Sequence, residues 1–159
     1  MTVRDKPGNA GSVYKFEWRA FWGLYDETPL LRPHAEAIIE RIYARYAPNR
    51  KRPTLTLTDV GPTRRRRVKY AGYYEPQTHR IGSHVLILNN LYLTHEVVHS
   101  LSERDSWEPH GPEFLRNLIE VHCWRLKMAV APRVRLARDV CGLRVADRFK
   151  LGRDPTRSR

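Results

Sequence analysis

The segment LTHEVVHSL carries His95, Glu96 and His99 in a His-Glu-x-x-His pattern, and no other feature constrains the chain as much, because that spacing has chemical meaning only on a helix. Residues four apart on a helix lie one above the other, so two imidazoles can reach the same cation while the intervening glutamate faces the adjacent solvent position. At about 100° per residue, Tyr92, His95, Glu96, His99 and Glu103 share an arc of about 100°. Leu91, Leu93, Thr94, Val97, Val98 and Leu101 fill the other side. The spacing therefore predicts a helix from Leu91 to about Glu103, N-capped by the pair Asn89-Asn90, with a polar reactive stripe set on an apolar seat.

A third ligand is available further on. His110 follows a loop and immediately precedes Gly111-Pro112-Glu113, a helix-start signal with proline at the first helical position, so a reversal of the chain can return it to the metal. Three protein ligands and one open position describe a catalytic zinc site, whereas a structural site uses four and favours cysteine. Glu113 is the rival for the third place. One Zn²⁺ per chain is expected, held by His95, His99 and His110, with Glu96 as the general base for a zinc-activated water. Tyr92, Tyr73, Tyr74 and Arg104 are candidates for stabilising the oxyanion; Glu103, Asp105 and Glu108 are candidates for orienting the ligands. His34, His79, His84 and His122 read as packing or surface histidines. Cys123 and Cys141 are too far apart for a Cys-x-x-Cys pair and read as free thiols.

Around this motif the periodicity predicts an α+β fold. Tyr14 to Tyr25 is aromatic-rich and reads as a helix, and Ala35, Ile38, Ile39, Ile42 and Tyr46 recur at helical steps between Pro33 and Pro48. Thr54 to Thr58, Val68 to Tyr74 and Arg80 to Leu88 read as strands of a small three- to four-stranded sheet packed on the motif helix. Beyond Pro112, Leu115, Leu118, Ile119, His122 and Leu126 form one stripe of a further helix. A length of 159 residues suits a single domain. It is expected over residues 13–130, preceded by a flexible 1–12 and followed from 131 to 159 by a basic tail that Pro132 separates from the fold.

The net charge of +12 is unevenly placed. Residues 41–70 hold ten basic side chains against one acid, residues 130–159 nine against three, while 71–129 is slightly acidic. Arg64, Arg65, Arg66 and Arg67 form a run between two strands, where a solvated loop accommodates like charges. The two basic blocks suit a core working beside a polyanion and make nucleic acid a candidate partner. No stretch approaches the roughly 20 apolar residues of a membrane span, and the polar N-terminus lacks the apolar centre of a secretory signal, so a cytoplasmic location is expected. Oligomeric state leaves no trace in the sequence.

His95-Glu96-Val97-Val98-His99 followed by His110-Gly111-Pro112-Glu113-Phe114 resembles the SprT-like (Spartan-type) zinc metallopeptidases, in which a short HExxH helix precedes an HGxxF-type segment that supplies the third histidine. The stretch is also similar to small metallohydrolases of actinobacteria and their phages. The resemblance is good over about residues 80 to 120. It implies a minimal zincin-like domain and a peptidase acting on protein or peptide, with the strand Ile81 to Leu88 bordering the substrate cleft and pairing with an extended peptide. The Cys-based zinc ribbon carried by many members is missing. Ser102 stands where the metzincin pattern needs glycine, which rules that pattern out. Two other functions stand beside the peptidase: a basic nucleic-acid-binding protein on a zincin scaffold, and a zinc hydrolase of non-peptide substrates.

Overall fold

A computed structural model of the chain describes residues 10–58, 72–102 and 110–149. The architecture is mixed α+β, with α1 (Ala10–Phe21), α2 (Arg32–Tyr46), β1 (Thr54–Thr58), β2 (Gly72–Glu75), β3 (Arg80–His84), α3 (Asn90–Leu101), α4 (Pro112–Leu126) and α5 (Val130–Arg135), the last running on into a π-helical turn, Leu136–Val140. The expected strand over 68–74 is described only from Gly72 onwards. The Arg64 to Arg67 run, together with Glu103, Arg104, Asp105 and Glu108, lies outside the described residues. No helix among the described residues is long and apolar enough to cross a membrane.

The residues group into two compact units, one over 26–100 and the other formed by 10–25 with 101–149. In the first unit, α2 starts at Pro33, whose fixed φ and missing N–H suit a first helical turn. It buries Ala35, Ile39, Ile42 and Tyr43. The Tyr43 hydroxyl lies 3.0 Å from Ser100 Oγ, and Ser100 in turn donates to the Val97 carbonyl, which fixes α2 against the end of α3. The three strands form one sheet in the order β1-β3-β2, with β3 parallel to β1 and antiparallel to β2.

This order corrects the expectation that an extended peptide pairs along the strand Ile81 to Leu88. β3 is the central strand, its residues paired on both sides from Arg80 to Ser83, and over that span it has no edge to offer a peptide. The strand also ends four residues early. The His84 carbonyl accepts the N–H groups of both Ile87 and Leu88, and the His84 ring accepts that of Leu86, which turns the chain towards α3.

In the second unit, α1 and α4 are joined by a buried polar chain. Glu17, on α1, accepts a hydrogen bond from His122 Nε2 at 2.8 Å, and the Tyr25 hydroxyl hydrogen-bonds with His122 Nδ1 at 2.9 Å. A carboxylate can only accept, so Nε2 carries a proton. Phe21 stacks on the imidazole at 4.4 Å. Around this chain Val13, Phe16, Leu115, Leu118, Ile119 and Val121 are buried.

Pro132 does not close the fold. It stands in the first turn of α5, where no N–H is required, and Val134, Ala137 and Val145 beyond it are buried. The Ala146 N–H donates to the Pro112 carbonyl at 3.0 Å, fastening the following segment to the start of α4.

Candidate metal centre

The motif segment is helical, as its spacing requires. Helix α3 begins one residue before the expected start, and Asn89 is its cap: the Asn89 Oδ1 accepts the Tyr92 N–H at 3.0 Å, satisfying a donor that has no partner within the helix. Leu91, Leu93, Thr94, Val97, Val98 and Leu101 are all buried. The seat locks the backbone and leaves the ligands only their side-chain torsions to adjust.

On this helix His95 and His99 present their Nε2 atoms 3.1 Å apart. With zinc–nitrogen bonds of about 2.0–2.1 Å and a tetrahedral angle, two ligating nitrogens stand about 3.3 Å apart, so the pair is spaced for one ion. His110 sits just before α4, with its ring 4.9 Å from Phe114 and 5.5 Å from Tyr14 of α1. One ring nitrogen from each of His95, His99 and His110 lies within 4.8 Å of the others. His95 and His110 are buried and His99 is half-buried. Three neutral imidazoles with no cysteine suit a borderline divalent cation such as zinc.

Glu96 differs from its expected setting. It does not face solvent but is 6% exposed, and its Cγ and Cδ pack against Gly72 at the start of β2. Tyr92 is half-buried one turn before His95 on the same face of the helix. Tyr73 is not brought to the carboxylate. Successive strand residues point to opposite faces, and Gly72 is turned to Glu96, so Tyr73 lies on the far face, its ring across Gly82. Tyr74 is engaged by His79, its hydroxyl 2.7 Å from Nδ1. Glu113 lies in the first turn of α4 and is not among the three clustered groups.

Gly72 and Tyr14 escaped the sequence reading. Nothing in a lone glycine or tyrosine signals a neighbour so distant along the chain. No family model matches the chain, and no curated protein or solved structure matches it.

Proposed function

We propose that the chain is a zinc-dependent hydrolase of the HExxH type, acting as a peptidase, with His95, His99 and His110 holding the metal and Glu96 as general base. The observation that carries this reading is the convergence of three imidazole nitrogens, two from neighbouring turns of α3, within 4.8 Å of one another. A zincin-like domain of SprT-like type accommodates these residues: a short site helix, a small mixed sheet beside it and a third histidine at the start of the next helix.

Zinc at these ligands supplies Lewis acidity, polarising a carbonyl and bringing the pKa of water towards about 7. Glu96, next in sequence to His95, takes the proton from the attacking water and returns it to the leaving amine. Its burial keeps the carboxylate in a low-dielectric setting where a short proton transfer is favoured over exchange with bulk solvent. The apolar seat of α3 fixes the helix backbone from which both histidines and the glutamate project.

Glu96→Gln is the direct test, read on a dye-quenched unstructured protein such as casein. The variant keeps its zinc and loses turnover by at least about 10²-fold. Retained turnover removes Glu96 as the base, and absence of any amide hydrolysis by the zinc-loaded wild type favours a non-peptide substrate.

A second reading, contact with nucleic acid, is favoured by the two basic blocks and by the outer face of α1. Trp18 and Trp22 stack there at 3.6 Å, with Lys15 and Arg19 exposed alongside. Stacking and cationic groups together suit single-stranded nucleic acid. Such binding weakens steeply with salt and falls when Arg64 to Arg67 are neutralised; salt-independent binding rejects it.

A further inference from the structure

Gly72 opens strand β2, and its missing side chain is what gives Glu96 its place. A Cβ built on Gly72 meets Glu96 Cγ at 3.3 Å, the Gly82 carbonyl oxygen at 3.4 Å and Glu96 Cδ at 3.8 Å. The first of these is tighter than an ordinary van der Waals contact, so one partner has to yield by a few tenths of an ångström. The Gly82 oxygen cannot do so, because it belongs to the central strand, paired on both sides. Glu96 is enclosed as well, at 6% exposed, on a helix whose neighbouring positions Thr94, His95, Val97 and Val98 are all buried. Its side-chain torsions are the remaining soft coordinate, and they carry the carboxylate.

The backbone does not explain the glycine. Gly72 is not among the positive-φ glycines, and a β-branched or aromatic residue is the usual occupant of a strand position. The close approach of the glutamate accounts for it.

We infer that Gly72 is a positioning residue for Glu96: the bare Cα of the outer strand forms the wall that sets where the carboxylate stands relative to His95 and His99. This rests on the hydrolase reading above and adds to it a residue outside the motif. A side chain at 72 shifts the base without touching a metal ligand. Because catalysis depends on sub-ångström placement, a displacement of a few tenths of an ångström lowers turnover by about 3- to 30-fold, and a larger side chain lowers it further.

The test uses full-length protein loaded with Zn²⁺ for kinetics on dye-quenched casein and with Co²⁺ for visible absorption. Gly72→Ala lowers kcat by about tenfold with KM within about twofold, and Gly72→Val lowers it more. Metal affinity stays within about twofold in both, since the three histidines are untouched. In the Co²⁺ protein, Gly72→Ala moves the absorption bands in the same sense as Glu96→Gln. In the Glu96→Gln background Gly72→Ala has no further effect, because the group it displaces no longer works. A Gly72→Ala protein with wild-type kcat and a wild-type Co²⁺ spectrum overturns the inference while leaving the hydrolase reading intact. A loss that adds in full to that of Glu96→Gln, or that appears as metal loss or a raised KM, also overturns it. Failure of the wild type to take up Zn²⁺ or Co²⁺ rejects the hydrolase reading, and this inference with it.

Discussion

Replacing His122 by leucine tests the buried chain that joins α1 to α4. His122 is fully buried and Glu17 is 2% exposed, with Nε2 and Oε1 2.8 Å apart. Removing the imidazole leaves the Glu17 carboxylate buried without the Nε2–H donor, and taking one partner from a buried, paired charge costs about 3–5 kcal/mol. Removing the carboxylate instead, as Glu17→Leu, deprives the imidazole of one acceptor and costs less, about 1–3 kcal/mol. Against a total stability of about 5–15 kcal/mol the first is a large fraction. For a chain of this size it lowers Tm by about 6–20 °C. The double replacement Glu17→Leu with His122→Leu removes both polar groups together, so its cost falls below the sum of the singles by at least about 1 kcal/mol. Urea unfolding of the four proteins, monitored by circular dichroism and Trp fluorescence, measures the cycle. Additive costs, or a His122→Leu penalty under about 1 kcal/mol, refute the reasoning.

Asn89→Ala removes the acceptor for the Tyr92 N–H and costs about 1 kcal/mol, a fall in Tm of about 2–4 °C, visible by calorimetry. Burial pushes the Cys123 thiol from 9.0 up to about 11, with Glu120 adding to the rise and Arg133 opposing it. The unfolded thiol therefore ionises first. The stability it contributes is complete below pH 9 and is lost as pH rises to about 11, so wild type loses more stability over that range than Cys123→Ala. At pH 8 iodoacetamide reacts with the partly exposed Cys141 and spares Cys123 until the protein unfolds.

What could be read from the sequence was local. β1 falls on the alternating Thr54 to Thr58, and α3 and α4 start at their signals, because caps, prolines and periodicity act over a few residues. The helical setting of His95 and His99 followed from their spacing alone. The sheet order did not, since a parallel pairing of β1 with β3 depends on a long crossover that leaves no mark in either strand. The burial of Glu96 was missed for the same reason: the wall it meets, Gly72, belongs to a strand whose position is set by tertiary pairing. His122 showed its buried stripe but not its partner, Glu17, which lies 105 residues away. The segment beyond Pro132 looked like a tail because its few apolar residues, Val134, Ala137 and Val145, are spread among arginines, yet each of them is buried.

Metal stoichiometry bears on the central claim most directly. Zinc titration of chelator-treated protein, followed by mass spectrometry under native conditions and by competition with a chromophoric chelator, gives one ion per chain in the wild type. His95→Ala, His99→Ala and His110→Ala each weaken binding by at least about 10²-fold while the far-ultraviolet circular dichroism stays that of a folded chain. A wild type that takes up no zinc, or a His110→Ala protein that binds it as tightly as the wild type, contradicts the three-histidine centre.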